Sequence, residues 1–312
     1  MTQLRIDNAG MLSLIQDLGR FGQSHLGLTT GGPADKFAFV VANRLLQNDD
    51  NAAAIEVAVG GFSFTALHPM HISVTGANVQ VSVNGKNVSM WQTIALSKHD
   101  QVSLGYASEG VRSYIAFSGG LSLTKSFTSV STVPREKVGG IDGKPLKVGQ
   151  LLTLGKQQAI KEQKLAEAFR PQYRSSAELR VIEGYQVEQF SAQERAKFYS
   201  ETYTVSELCD RMGYRLTGAK VSHDIRQMFS EGIALGAIQI PADGQPIVLL
   251  NDRQTIGGYP KLGSVFSLDL SGLMQLATGA TVSFTPITIE QAHNALHLAR
   301  YRMQHLTLET IV

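Results

Sequence analysis

Ile72-Ser-Val-Thr-Gly-Ala-Asn-Val-Gln-Val-Ser-Val-Asn-Gly-Lys-Asn-Val-Ser-Met-Trp-Gln-Thr-Ile-Ala-Leu96 reads as a series of short strands. Ile72 to Thr75, Val79 to Val83, Val88 to Trp91 and Ile94 to Leu96 are apolar or alternating runs, and Gly76 and Asn84-Gly85 break them apart. Asn84-Gly85 is a two-residue hairpin signal, because both central positions of the favoured turn need positive φ. The pattern continues through Val102 to Leu104 and Ser113 to Phe117, punctuated by His99-Asp100 and Glu109-Gly110. Thirty glycines against nine prolines, scattered among short apolar runs, extend this reading to the whole chain. The expected fold is mainly β, built from barrel or sandwich modules with a few short helices.

A polar turn leading into alternating residues recurs at His99 to Leu104, Val148 to Leu154 and Thr278 to Phe284. Similar closing strands in both halves hint at two related β-modules. Helix signals are sparse. Gly32-Pro-Ala-Asp35 is expected to open one helix with proline at its first position, burying Phe37, Val40, Val41 and Leu45. Ser191 with Glu194, and Thr288 with Gln291, have capping-box spacing for a helix through Phe198 and for a C-terminal helix. The stretch 156–178 is polar and aperiodic, a linker or a solvated helix. The expected division is therefore 1–155 as an N-terminal module and 179–312 as a C-terminal module with its helix.

The composition narrows the function. With 28 Lys and Arg against 26 Asp and Glu, no strong field draws the chain to nucleic acid or an anionic membrane. One cysteine, Cys209, leaves no intrachain disulfide, and no signal peptide or membrane-spanning run is visible, so the expected location is cytoplasmic. Neither a Gly-x-Ser-x-Gly elbow nor a dinucleotide fingerprint is present. Gly139-Gly-Ile-Asp-Gly-Lys144 misses the phosphate-loop spacing and continues into Pro145, so it reads as a turn. His293 and His297 lie four apart but lack a third ligand, and no metal site is expected.

Three glycine-punctuated clusters remain. The first holds Asp17 and Arg20, then Asp35 and Asn43, as candidate cleft residues. The second is Asp210-Arg211-Met-Gly-Tyr-Arg215, where two guanidinium groups could fork onto a carboxylate or phosphate and Asp210 could orient one of them. The third, Asn251 to Lys261, follows the apolar run Pro246 to Leu250 and puts Asp252, Arg253 and Gln254 at a strand end beside Gly257 and Gly258. Ion pairs tying loops together are the competing reading for Asp17–Arg20 and Asp210–Arg211. A solvated turn is the competing reading for the third cluster.

In this order the clusters resemble the carboxyltransferase subdomain family that includes allophanate hydrolase subunit 2 and the C subunit of prokaryotic ATP-dependent 5-oxoprolinase. The likeness runs from Gln16 to about Ala292, through Ala42-Asn-Arg-Leu-Leu46, Arg112 to Leu121, Asp210 to Leu216 and Gly244 to Pro260. It implies two cyclophilin-like β-barrel modules and the conversion of 5-oxo-L-proline to L-glutamate, with ATP and Mg2+, alongside 5-oxoprolinase subunits A and B. On that implication Asp252, Gln254 and Tyr259 are the catalytic candidates, and Asp210, Arg211, Arg215, Gly257 and Gly258 bind substrate. Carboxyl transfer in a urea carboxylase or allophanate hydrolase-type system is a second implied role. Metabolite sensing beside a histidine-kinase inhibitor is a third. No Ala-Met-Lys-Met segment is present, so no covalently bound biotin is expected. The sequence departs from the family pattern at Ser131-Thr-Val-Pro-Arg-Glu-Lys-Val-Gly-Gly140, which leaves the substrate open among these roles.

Overall fold

The computed structural model describes residues 2–157, 159–224 and 228–311; Gln158, in the expected linker, lies outside them. Two compact units share the chain. The first comprises residues 1–22, 30–173 and 307–312, and the second 23–29 and 174–306. Two short excursions thus separate this division from a simple cut near 156–178.

The first unit begins with β1 (Gln3–Ala9), β2 (Leu12–Gln16), α1 (Lys36–Leu45), β3 (Ala54–Ala58) and β4 (Phe62–Ala66). It continues with β5 (Met70–Asn78), β6 (Val81–Val83), β7 (Lys86–Val88), β8 (Thr93–Leu96), β9 (Gln101–Leu104) and β10 (Glu109–Phe117), then β11 (Leu151–Thr153) and β12 (Gln163–Leu165). Eleven of these strands form two sheets, ordered β11-β1-β4-β9-β6-β7 and β2-β3-β10-β5-β8. Asn84 and Gly85 have φ of 51° and 78°, and β6 pairs with β7 across them, as the hairpin reading requires.

Alternation along β5 explains how this unit is layered. Ile72 and Val74 enter a core shared by both sheets, with Ile6, Phe62, Phe64, Val102 and Phe117. The intervening Ser73 and Thr75 turn to the other face, where their hydroxyls donate to the Ala42 and Ala38 carbonyls of α1 at 2.6 and 2.8 Å. Each fully buried phenylalanine contributes roughly 1.5–3 kcal/mol by leaving water. The start of α1 differs from expectation. Asp35 is its N-cap, accepting from Ala38 N, and Pro33 lies outside the helix. Asp35 wins because its carboxylate can satisfy an orphan amide of the first turn, whereas proline only presets φ.

The second unit contains β13 (Ser176–Glu183), α2 (Ala192–Ser200), β14 (Tyr203–Cys209), β15 (Gly213–Thr217), β16 (Glu231–Gly232) and β17 (Ala237–Gln239). After these come β18 (Ile247–Leu249), β19 (Ile256–Gly257), β20 (Lys261–Val265), α3 (Leu270–Met274), β21 (Thr281–Pro286) and α4 (Ile289–Gln304). Seven strands close a barrel in the order β13-β20-β17-β18-β15-β14-β21, and β16 pairs with β19 as a separate two-stranded ribbon. The mainly β expectation holds. Ser191 caps α2 by accepting from Glu194 N, but the Glu194 carboxylate turns to Lys197 and Ser222 N, so only half of that box forms. The Thr288–Gln291 box forms in both directions. The chain returns to the first unit in β22 (Leu308–Thr310), which pairs antiparallel with β12 and gives the 156–178 stretch a strand.

Candidate functional site

The first polar cluster is built as an anchor. Gln16 ends β2, and the chain then turns through Gly19, whose φ of +109° and approach to Thr30 O leave a Cβ only 2.9 Å from that oxygen. Asp17 is thereby held inside, accepting from Gly19 N, Ser129 Oγ, Val130 N and Ser131 Oγ at 2.5–3.0 Å. Arg20 is buried and donates to the carbonyls of Ser126 and Ser131 at 3.2 and 3.0 Å. Asp35 also accepts from the Tyr173 hydroxyl at 2.7 Å, and Asn43 ties Ala52 O to Asn48. All four expected cleft residues are buried among protein groups, where they hold loops instead of lining a cleft. Within the divergent segment, Ser131 and Thr132 are buried and a Val133–Val138 bridge leaves Arg135 and Lys137 exposed at a turn.

Beneath this cluster sits a network that the sequence reading misses. Glu56, buried on β3, accepts from Tyr114 Oη at 2.8 Å and from Ala34 N at 2.9 Å, with Arg112 Nε 3.8 Å away. Asp35 N in turn donates to Tyr114 Oη at 2.7 Å. Burial, then the charges of Glu56 and Asp35, push the Tyr114 phenol well above its ordinary pKa, so it remains a proton donor. The one sequence signal is a glutamate in the apolar run Ala54-Ile-Glu-Val-Ala58, since a charge there must be paired.

The second and third clusters do come together, with changed roles. Leaving the barrel at Leu249, the chain places Asp252 against Arg211: Nε to Oδ2 and Nη2 to Oδ1 are both 2.9 Å, with the residues 4% and 5% exposed. This two-pronged pair neutralises both charges, so Arg211 is not a free anion clamp and Asp252 is not a free acceptor. Asp210 caps its own turn by accepting from Met212 N and Gly213 N, and does not orient Arg211, whose carboxylate partner is Asp252. Arg215 is exposed on β15 between buried Tyr214 and Leu216. Strand alternation thus separates it from Arg211, and the expected fork of two guanidinium groups does not form.

Arg253 takes over the cationic role. Its Nε and Nη1 donate to the carbonyls of Ile233 and Leu250 at 3.1 and 3.3 Å, and no carboxylate pairs with it among the described residues. Desolvation lowers its pKa from the ordinary value, although a guanidinium still stays charged at neutral pH. An incompletely neutralised, partly buried cation attracts an anion. Beside it, Ile233 N donates to Thr255 O, and the ribbon pairs Glu231 with Gly257 and Gly232 with Ile256. Gly257 therefore serves in that ribbon, where a Cβ would come within 2.6 Å of Ile233 Cδ1 and 3.1–3.3 Å of the amide nitrogens of Gln254 and Gln239. Tyr259 is 48% exposed and Gly258 is exposed beside it.

Gln239 belongs to this group although the sequence reading passes over it. It lies on β17, is 2% exposed, and its Nε2 has no hydrogen-bond partner. A glutamine between Ile238 and Ile240 is the available sign. The arrangement of Arg253, Gln239 and Gln254 can hold a small ligand that carries an anionic group and a carbonyl oxygen.

The carboxyltransferase domain family, subdomains A and B, matches residues 26–286. The chain belongs to this family. Among carboxyltransferase-domain relatives, the 5-oxoprolinase C subunit of Haemophilus influenzae is 32% identical over 281 residues, covering 89% of each chain. That of Escherichia coli is 31% identical over 293 residues, covering 94% of each. The crystal structure of Kluyveromyces lactis urea amidolyase superposes with a TM-score of 0.93 at 22% identity, over 98% of this chain and 20% of that one, which shows the shared fold. Among the described residues of this carboxyltransferase-family chain, no helix is long and apolar enough to cross a membrane. His293 and His297 are exposed on α4.

Proposed function

We propose that this chain acts as the C subunit of an ATP-dependent 5-oxoprolinase, opening 5-oxo-L-proline to L-glutamate together with subunits A and B. Two relatives of that name at 31–32% identity over nearly their full lengths support the reading. The single structural observation that carries it is Arg253, a desolvated guanidinium without a carboxylate partner among the described residues, set beside the amide side chain of Gln254. A ring carboxylate and a lactam carbonyl are the two groups this pair would recognise.

Hydrolysis breaks the lactam C–N bond, water supplies the oxygen of the new carboxylate, and the freed nitrogen keeps a proton as the amine. A lactam carbonyl is a weak electrophile, so coupling to ATP hydrolysis drives the opening. In this reading Arg253 orients the substrate carboxylate, Gln254 donates to the ring carbonyl where negative charge develops, and the Arg211–Asp252 pair fixes the strand end that carries both. Tyr259 forms an exposed wall. ATP, with Mg2+, is the co-substrate; the chain has no phosphate loop, so subunits A and B share its binding.

The test is glutamate formation from 5-oxoproline and ATP by the three assembled chains, with each omitted in turn. Activity that disappears without this chain is expected. Verified assembly without activity overturns the reading and favours carboxyl transfer, for which 27% identity to the urea amidolyase of Saccharomyces cerevisiae over 94% of this chain is the supporting observation.

A further inference from the structure

We propose that Gln239 and Gln254 form a paired-amide subsite for one carbonyl oxygen of the ligand, reached when the β16–β19 ribbon moves off it. The proposal rests on the substrate-binding role proposed above for this strand end, and names the residue that reads the carbonyl. Its starting point is an unmet donor. Gln239 Nε2 is buried without a partner, whereas buried polar atoms in native structures are nearly always paired and the exceptions concentrate where function needs them.

The surroundings of Gln239 do not supply the missing acceptor. Around the Cβ direction of Gly257 stand Ile233 Cδ1, Gln254 Nε2 and Gln239 Nε2, at 2.6, 3.1 and 3.3 Å from where a Cβ would lie. One is a methyl and two are donors. Among the described residues, Gln254 also makes no side-chain hydrogen bond within the chain. Two N–H groups directed at one point suit an oxygen that carries, or gains, negative charge. The gap is too tight even for a methyl group, so a resident water does not fit; a ligand oxygen enters when Gly257 withdraws.

The ribbon is built to allow that movement. Each of its strands has two residues, and Ile256 and Tyr259 beside it are largely exposed. Its far end is tied by the Glu231 carboxylate, which accepts from Lys261 Nζ, Tyr185 Oη and Gln186 Nε2. Glycine at 257 is what lets the ribbon close over the two amides, since a side chain there would collide with all three neighbours.

The experiment compares 5-oxoproline with L-proline, which has the same ring and carboxylate but no ring carbonyl, by calorimetry on the full chain alone and assembled with its partners. Wild type is expected to prefer 5-oxoproline, and Gln239→Leu to lose about tenfold or more of that preference while L-proline binding stays unchanged. In the active assembly the same variant raises KM more than it lowers kcat. A folded Gln239→Leu that keeps the preference overturns the proposal, as does Gln239→Glu binding like wild type, because a carboxylate supplies no donor. A readout on wild type guards against misfolded variants: saturating 5-oxoproline is expected to shift the Gln239 side-chain amide resonance, and an unmoved resonance overturns the subsite. If the wild-type assembly makes no glutamate, the oxoprolinase reading fails on its own account. The subsite is then decided by the same resonance titrated with 2-pyrrolidinone and urea, a shift supporting it and no shift overturning it.

Discussion

The loop cluster around Asp17 and the strand-end cluster around Arg253 use the same residue types to different ends. In the first, the carboxylate of Asp17 accepts four hydrogen bonds and Arg20 is turned onto backbone carbonyls, so the polar groups are consumed in fixing the chain. In the second, one ion pair is closed, but Arg253 keeps its charge without a carboxylate among the described residues and Gln239 keeps an unmet donor. A satisfied network has nothing left to offer a ligand, whereas an unsatisfied one gains free energy by binding one. Polar composition alone therefore does not mark a site; unmet valence does.

Opening the closed ion pair challenges this contrast most severely. Asp252→Ala strands the buried Arg211 charge and should cost about 3–5 kcal/mol in denaturant unfolding, with much of it restored in Arg211→Met/Asp252→Leu. Equal loss in the double variant would show that the pair acts through something besides charge compensation. Next, Asp17→Ala leaves several buried donors unpaired and should cost about 3 kcal/mol without touching ligand affinity in the surviving folded fraction. Weakened 5-oxoproline binding there would erase the distinction between anchor and site.

Arg253→Met should do the reverse, leaving stability within about 1 kcal/mol while weakening 5-oxoproline binding about tenfold to a hundredfold, measured by calorimetry. Loss of the α1 cap in Asp35→Ala should cost about 1 kcal/mol, read as a lower unfolding midpoint with unchanged substrate affinity.

A milder difference should appear with pH. Burial raises the Glu231 carboxyl pKa, but hydrogen bonds from Lys261 and Tyr185 outweigh it and hold the group below its ordinary value of 4.5. A carboxyl depressed in the folded state adds stability that is fully present above its unfolded pKa and is lost as pH falls through the folded value. Unfolding measurements on wild type and Glu231→Gln should therefore diverge above about pH 4.5 and converge below it. Parallel curves across that range would mean that the ribbon tie is not carried by the charge.

Much of the architecture is legible in the sequence because its signals are local. Asn84-Gly85 can hardly do other than turn, and alternation along Ile72 to Thr75 assigns one face to a core. Thr288 and Gln291 close their capping box within one turn of α4. The start of α1 escapes a sequence reading because Pro33 and Asp35 both suit a helix start, and only the observed bond from Ala38 N separates them. Sequence proximity groups Arg211 with Arg215, yet the fold sends one to Asp252 and the other to solvent.

The mainly β class, the hairpins and the caps follow from the order of residues alone, as does the gathering of polar groups at a strand end in Asn251 to Lys261, since each depends on neighbours within a few positions. What those polar groups do is settled by contacts that no local pattern announces. Arg211 meets Asp252 across 41 positions, and Glu56 meets Tyr114 across 58. Gln239 becomes conspicuous only once the barrel buries it beneath Gly257. Whether a polar side chain is spent or available depends on which distant partner desolvates and satisfies it, and that pairing is fixed when the strands close.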